Sequence, residues 1–385
     1  MEFLMKHTRF LALILCLLLT AGCSKTYKMK PSERELPSPW TFARQDKQAT
    51  AAITTATFSG NLTRCWETSS NDKPSGPLSV QKGHLIYSGT RKKLKFYDVS
   101  SGRYLGSLKS GFAAQSGVVI EDTIAYWGTA PYRNRMFAVN LHNRSRLWDS
   151  ETHNIATGLL YHDHQLLGAT GDGRVFALDP DEGTTIWQHQ TPDRFTAGPS
   201  LHEHMLYQPS DIGKIYYLRA TDGKLGCTAR LMAAITGQVA VGDFVFACDV
   251  LGNVGAFDRS VCDTRWTRTL DGPVWGAPAL AENTLYIGVT TGRVWAIDGS
   301  TGHDLWYTDL GEVIKAGVIV VGDHVIAATM RGKLFAISRA DGSITSQAQI
   351  HGAVEQSPVS DGHRIFVATQ KGKIAAFGHC ETAEK

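Results

Sequence analysis

Short apolar runs separated by glycine-rich or polar turns recur along the chain at a spacing of about 40 residues. In the clearest unit, Asp179 ends an apolar run and is followed by Gly183 and Trp187; Asp298 is followed by Gly302 and Trp306 at the same offsets. Weaker copies of the run end at Asp98, Asn140, Arg219, Asp258, Ser338 and Gly378. A repeat of this length indicates stacked supersecondary units rather than one large core.

A second feature repeats in the same register. About 21 residues before each run ends, small residues begin another strand: Ser75-Gly76, Ser116-Gly117, Thr157-Gly158, Ala197-Gly198, Thr236-Gly237, Gly276-Ala277, Ala316-Gly317 and Gln356-Ser357. Each of the two features occurs eight times along the chain. Within each unit, turns such as those at residues 321–323 and 331–333 separate four short strands. The pattern predicts an all-β protein consisting of a single eight-bladed β-propeller with four antiparallel strands per blade; seven blades is the alternative.

The two ends of the repeat predict how the ring closes. The last unit leaves too little chain for its own tryptophan strand, and an unmatched copy of that strand lies at residues 61–66. We expect this copy to be the outer strand of the last blade, beside residues 374–377, because closure removes unpaired strand edges. An open solenoid leaves Trp66 without a partner. The propeller is therefore expected at residues 57–385.

The N-terminus has the pattern of a secretory signal peptide over residues 1–22. Lys6 and Arg9 precede an apolar run that is short for a membrane span, and small residues lead into Cys23. This resembles a bacterial lipobox, which implies lipidation of Cys23; an ordinary signal with an incidental cysteine, or a membrane anchor, is the alternative. Ser24 resembles an outer-membrane sorting signal. Residues 23–56 are expected to be the lipidated cysteine and a flexible tether, removable at little cost in stability.

Composition narrows the classes of partner. The chain has 39 Lys and Arg against 36 Asp and Glu, a balance that does not favour nucleic acid. Phosphate-loop, nucleophile-elbow and zinc-protease motifs do not occur in the sequence. We expect no enzymatic activity and no cofactor. The expected partners are the membrane, through the lipid anchor, and a protein, with the propeller itself monomeric within a complex.

The repeated Ala-x-Asp-x-x-x-Gly-x-x-x-Trp frame resembles the tryptophan-docking motif of the pyrroloquinoline-quinone-like propellers. That resemblance implies that each tryptophan stacks on the glycine of the following blade. The expected docking residues are Trp66, Trp148, Trp187, Trp266 and Trp306, whereas Gly106 and Ser346 replace the tryptophan in two units. Quinone dehydrogenases of this family resemble one another in a pair of adjacent cysteines, and no such pair occurs in this sequence.

Other candidate residues lie near the strand ends. Trp275, Lys315 and Glu355 precede inner strands and are expected at one mouth of the central channel. Trp275 is either the floor of a planar cofactor site or an ordinary aromatic at the mouth, and Lys315 and Glu355 form either an ion pair or a ligand site. His162-Asp-His164 and His202-Glu-His204 have spacings that suit a metal, but they fall where other units have polar turns, so we expect solvated turns and no metal site.

The family motif also suggests disulfides. Cys227 stands where a docking tryptophan belongs and Cys262 where the docking glycine of the next blade belongs, so the resemblance implies a bridge between them. A second bridge between Cys65 and Cys380 would lock the closing strand. Cys248 is left as a buried thiol. Five unpaired cysteines are the alternative.

A secreted lipoprotein that is one eight-bladed propeller of this type resembles the propeller lipoproteins of the machinery that assembles outer-membrane β-barrels. The resemblance implies a non-catalytic periplasmic scaffold, lipid-anchored in the outer membrane. The Leu/Arg-rich partner-binding insertion of that family has no counterpart here, so no binding residue is carried over. A lipoprotein of another envelope complex and a quinone-dependent enzyme are the alternatives.

Cys23→Ala should abolish lipidation and leave the protein unanchored, while the propeller still folds. Labelling with radioactive palmitate checks this directly. Incorporation at the level of the unmutated protein would show that the lipobox interpretation is wrong.

Overall fold

The computed structural model describes residues 25–129, 134–151, Ile155 and 158–380. The first elements are the 3-10 turn η1 (Pro31–Glu33) and the strands β1 (Ala52–Ile53) and β2 (Arg64–Ser69). Each further group of strands forms one antiparallel sheet, and the sheets are numbered as blades in chain order.

The first four blades lie between residues 79 and 230. Blade 1 contains β3 Ser79–Gln81, β4 His84–Gly89, β5 Lys93–Asp98 and β6 Tyr104–Lys109; blade 2 contains β7 Ala114–Glu121, β8 Ile124–Thr129, β9 Arg135–Asn140 and β10 Arg146–Glu151; blade 3 contains β11 Leu160–His162, β12 Gln165–Ala169, β13 Arg174–Leu178 and β14 Thr185–Gln190; blade 4 contains β15 Ser200–His202, β16 Met205–Pro209, β17 Lys214–Arg219 and β18 Leu225–Arg230.

The other four blades complete the ring. Blade 5 contains β19 Ala240–Val241, β20 Phe244–Cys248, β21 Asn253–Asp258 and β22 Thr264–Thr269; blade 6 contains β23 Ala279–Ala281, β24 Thr284–Gly288, β25 Arg293–Asp298 and β26 Asp304–Asp309; blade 7 contains β27 Ile319–Val321, β28 His324–Ala328, β29 Lys333–Ser338 and β30 Ile344–Gln349; blade 8 contains β31 Val359–Ser360, β32 Arg364–Ala368, β33 Lys373–Gly378 and the N-terminal strand β2.

Burial follows the hydrophobic pattern of each blade. In blade 7 the inner strand β27 is fully buried and the next two strands are buried except at their ends, which explains their continuous apolar runs. The outer strand β30 alternates exposed and half-buried residues, as expected for a strand with one face in solvent. The core is therefore a ring of interfaces between neighbouring blades.

The predicted eight blades and their closure are confirmed. β2 pairs antiparallel with β33, and Trp66 lies opposite Ala376 while Thr68 lies opposite Ile374. Blade 8 therefore combines the N-terminal strand β2 with three C-terminal strands, and the seven-blade alternative is wrong.

Each docking tryptophan fills the junction with the following blade. A Cβ atom built on Gly102 would lie 2.5 Å from the Trp66 ring, and one built on Gly183 would lie 2.6 Å from the Trp148 ring. Both glycines have positive φ, so the turn needs glycine for its backbone as well as for the stacking. The other tryptophan–glycine pairs are Trp187–Gly223, Trp266–Gly302 and Trp306–Gly342.

Each indole also donates a hydrogen bond to the turn on which it stacks. Trp66 Nε1 donates to Val99 O at 3.1 Å, and Trp148 Nε1 donates to Pro180 O at 2.8 Å. The remaining donor–acceptor pairs are Trp187 to Ala220 O, Trp266 to Gly299 O and Trp306 to Arg339 O. A buried indole N–H needs such an acceptor, so stacking and hydrogen bonding together fix the angle between neighbouring blades.

The expectation of a flexible tether is wrong for residues 25–56, which we call the N-terminal segment. Tyr27, Met29 and Trp40 are 2%, 1% and 0% exposed. Tyr27 stacks on Phe96 of blade 1 with ring centroids 3.8 Å apart. The segment has no apolar periodicity because it forms almost no regular secondary structure. Its few apolar residues pack individually against the strands of the blades.

Part of the N-terminal segment runs through the central channel. Trp40 and Val80 of β3 exchange two backbone hydrogen bonds of 3.1 and 3.0 Å. Beyond Arg44, carbonyls of residues 47–51 accept hydrogen bonds from one amide in each of four consecutive inner strands, namely those of Leu201, Val241, Leu280 and Val320. β1 then pairs with β27 in parallel, and the chain continues to β2. The segment therefore ties together inner strands that do not otherwise share a sheet.

Trp40→Ala should lower the free energy of unfolding by about 3–5 kcal/mol, because it removes a fully buried indole from the junction between the segment and blade 1. Urea unfolding of the oxidised protein measures the change. Leu36→Ala is the control in the same segment; Leu36 is 40% exposed, and its truncation should cost less than about 1 kcal/mol. Equal unfolding midpoints for both variants and the unmutated protein would contradict the packed segment.

Candidate functional site

Arg44 fills one mouth of the central channel. Its Nη2 donates hydrogen bonds to the carbonyl oxygens of Ala277, Pro278 and Val318 at 3.2, 2.9 and 3.0 Å, and its Nη1 donates to Ser357 Oγ at 3.0 Å. Burial lowers the pKa of Arg44 to about 10, so the guanidinium remains charged near neutral pH. One side chain therefore links the inner ends of blades 6, 7 and 8.

The three residues predicted at the channel mouth line one shallow cavity above Arg44. Its volume is about 150 Å³, and Trp275, Lys315 and Glu355 are among its lining residues. Glu355 Oε2 accepts a hydrogen bond from Gln370 Nε2 at 2.9 Å, and no ion pair joins it to Lys315 among the described residues. Arg44 was missed by the sequence analysis, since its position in a polar stretch gives no signal of burial.

The residues at this mouth do not fit the planar quinone after which the propeller type is named. Small-molecule sites usually enclose roughly 300–1,000 Å³, whereas this cavity has about 150 Å³ and Arg44, bound to backbone carbonyls, forms part of its lining. The only free cysteine in the described part of the chain is the buried Cys248. We therefore assign no quinone chemistry to this mouth.

The histidine turns lie on the opposite face of the ring. Ligand atoms of His162, Asp163 and His204 lie within 4.8 Å of one another, so the pairing joins neighbouring turns rather than the two histidines of one turn. Lys47 Nζ lies 3.0 Å from His162 Nδ1. Burial and this ammonium group lower the pKa of His162. His164 instead contacts Asp181, at 3.0 Å. The ammonium group of Lys47 would therefore repel a metal ion bound at His162.

The face with the Arg44 mouth also exposes an arc of large apolar side chains, which the sequence analysis missed. They lie on turns between second and third strands and on the loops that join successive blades, and we call this arc the loop face: Ile212, Met232, Leu251, Trp275 and Val313. Met232 is 81% exposed and Leu251 is 61% exposed. Such single residues give no signal in the sequence, because only the ring brings the loops together.

Hydrogen bonds between neighbouring loops hold the loop face in place. Val250 N donates to Ala234 O at 3.0 Å, and Ala233 N donates to Asp249 Oδ2 at 3.0 Å. Thr236 Oγ1 donates to Trp275 O at 3.0 Å. The exposed apolar side chains therefore stand on a fixed backbone.

Both cysteine pairs considered in the sequence analysis are joined in the structure. Cys227 and Cys262 are bridged across blades 4 and 5 with a Cα–Cα distance of 6.2 Å, and Cys65 and Cys380 are bridged at 5.0 Å. The first bridge occupies the position that a tryptophan and a glycine take at other junctions. The second bridge joins the closing strand β2 to the chain just past β33.

The signal peptide and Cys23 lie outside the described residues. Over residues 25–129, 134–151 and 158–380, the structure contains no helix long and apolar enough to cross a membrane.

Comparisons with known proteins agree with this architecture. The family model for the outer membrane protein assembly factor BamB matches residues 171–258 and 233–385. The BamB protein of Yersinia pestis is 27% identical over 168 residues, which cover 39% of this chain and 43% of that protein. The match therefore spans less than half of the curated relative.

Solved structures share the fold. The crystal structure of BamB from Moraxella catarrhalis aligns with a TM-score of 0.72 at 19% identity and covers 83% of this chain and all of that chain, 100%. The quinohemoprotein alcohol dehydrogenase from Comamonas testosteroni aligns with a TM-score of 0.76 at 11% identity over 92% of this chain and 84% of that one. At these identities the structural likeness concerns the fold alone. The family model covers more than half of the sequence, and the chain accordingly belongs to the family of the outer membrane protein assembly factor BamB.

Proposed function

We propose that this protein is a non-catalytic scaffold lipoprotein that faces the periplasm and assists the assembly of β-barrel proteins into the outer membrane. Membership of the BamB family supports this role. Lipidation at Cys23, which the sequence predicts, would hold the scaffold at the membrane; a single lipidated cysteine carrying several acyl chains gives stable anchoring.

The observation that carries the proposal is the loop face. Soluble monomeric domains rarely place several large apolar residues together on one exposed surface, and such patches usually bind proteins. Met232, Leu251 and Trp275 lie on adjacent loops of blades 4 to 6, and Trp275 is 49% exposed. Because the backbone of these loops is already ordered, binding does not carry the entropy cost of ordering the loops. We infer that the loop face contacts the protein partner.

The channel mouth supports a binding role over catalysis. Arg44 donates its hydrogen bonds to backbone carbonyls and to Ser357. Its Nη donors are therefore directed into the protein rather than toward a substrate. Lys315 and Glu355 then form part of the polar rim of the same surface, beside Trp275. Interfaces commonly have this arrangement of an apolar centre and a polar rim.

Met232→Asp combined with Leu251→Asp should reduce co-purification of the β-barrel assembly protein from detergent-solubilised membranes by roughly tenfold or more, because central apolar contacts each contribute on the order of 1–2 kcal/mol. Quantitative immunoblotting against that named protein measures the effect. The control is Leu305→Asp with Ile344→Asp, which places the same charges on exposed apolar positions of the outer strands β26 and β30.

Retention of the partner by the loop-face variant, or equal loss in the control, would contradict the loop face as the docking surface. Absence of the assembly protein from the purified unmutated complex would contradict the proposed role itself. Binding of pyrroloquinoline quinone with calcium, seen as a new absorbance band, would instead favour the quinone-dependent alternative.

A further inference from the structure

Positive charge is concentrated in one blade. Residues 79–109, which form blade 1, contain seven Lys and Arg and one acidic residue, Asp98. The rest of the chain then has 32 Lys and Arg against 35 Asp and Glu. Blade 1 is therefore strongly basic, whereas the rest of the chain is slightly acidic. The small net charge of the whole chain hides this difference.

A cavity of about 400 Å³ lies beside this charge, at the junction of blades 1 and 2. Leu108, Trp127, Phe137 and Val139 supply an apolar lining, and each of them is less than 10% exposed. This cavity lies at the junction where the docking tryptophan is missing: Gly106 occupies its position in β6. The N-terminal segment covers Gly106 itself, and the cavity lies beside that contact.

Three cationic side chains also line this cavity: Lys109, Arg144 and Arg146. Arg146 forms an ion pair with Asp149 at 3.3 Å. Lys109 and Arg144 form no ion pair with any residue that the structure describes. We call these three side chains with the apolar lining the basic rim. An apolar pocket bordered by cations complements a molecule that has an anionic head and an apolar tail.

The described chain begins at the same place. Thr26 pairs in parallel with Ser107 of β6, and Ser107 N donates to Lys25 O at 2.9 Å. Thr26 itself lines the cavity. Lys25 and Thr26, the first residues that the structure describes, therefore lie at the basic rim. Lys25, Lys28 and Lys30 are exposed and add to the positive charge.

We propose that the basic rim docks on a membrane surface containing acidic phospholipid. Lys109, Arg144 and Arg146 contact the lipid phosphate, and the apolar lining beside Trp127 receives part of an acyl chain. Each Lys or Arg near an anionic bilayer adds a favourable increment to binding, and an inserted apolar group adds its own. This inference is independent of the proposed partner and of lipidation at Cys23.

Docking in this way fixes the orientation of the propeller. The basic rim lies on the outer edge of blades 1 and 2, whereas the loop face lies on one flat side of the ring and in blades 4 to 7. A propeller that stands on its basic rim leaves the loop face open to the periplasm. Membrane contact and partner contact are then made by different surfaces.

The test is co-sedimentation of the chain from residue 25 onward with lipid vesicles. This part contains all eight blades and both disulfides, so it carries the whole fold. Vesicles of phosphatidylethanolamine and phosphatidylglycerol should bind the protein, and vesicles of phosphatidylcholine should bind it far less. Lys109→Glu with Arg144→Glu should weaken binding by about 30-fold or more, since two cationic contributions are lost.

The matched control is Lys224→Glu with Arg230→Glu, which makes the same change of charge at the exposed outer edge of blade 4. It should leave binding within about twofold. Equal losses in the two variants would show non-specific attraction and overturn the proposal. If the protein bound soluble polyglutamate but not the acidic vesicles, the basic rim would be a site for an acidic polymer. That result would also overturn the proposal.

Insertion of an acyl chain beside Trp127 can be measured separately, by quenching of tryptophan fluorescence. Phosphatidylglycerol with brominated acyl chains should quench part of the tryptophan fluorescence, and Trp127→Phe should remove that part. Quenching that is unchanged in Trp127→Phe would show that no acyl chain reaches the cavity and would overturn that step.

Discussion

The contact between the outer strand of one blade and the turn of the next is the constraint on which this ring depends. Flat sheets arranged round a channel leave a gap that widens toward the rim, and the indole of residues such as Trp66 fills it by stacking on a glycine peptide. A ring has no spare junction, because one unsealed gap exposes the apolar faces of two sheets. Each of the eight junctions must therefore be sealed, whether or not a tryptophan is present.

Three junctions without tryptophan are filled in three different ways. A disulfide joins Cys227 to Cys262 between blades 4 and 5. Between blades 7 and 8, the amide of Leu62, which is 4% exposed, donates to Ser346 Oγ at 3.1 Å. Between blades 1 and 2 the N-terminal segment lies against the strand that carries Gly106: a Cβ atom there would lie 2.6 Å from the Tyr27 amide nitrogen. The same segment thus seals the ring at its rim and fills its channel.

The repeating part of this architecture could be predicted and the non-repeating part could not. Blade number, strand closure at Trp66 and the chain positions of the channel-mouth residues follow from a period that recurs along the sequence. Arg44 and Tyr27 gave no signal, since each occurs once, in a polar stretch, and is buried only because a finished ring surrounds it. The loop face depends in the same way on residues brought together from different blades. Sequence periodicity indicates local structure. The burial of Arg44 and Tyr27 and the loop face arise only when the blades are assembled into a ring.

Hydrogen exchange followed by mass spectrometry tests most directly whether the N-terminal segment is part of the ring. Amides of the segment donate hydrogen bonds within the folded protein: Tyr27 N to Ser107 O, Met29 N to Leu141 O, Trp40 N to Val80 O and Ala51 N to Arg44 O. We predict that peptides covering residues 27–53 exchange as slowly as the inner strands of the blades. Complete exchange of these peptides within seconds, with the blades still protected, would contradict the account.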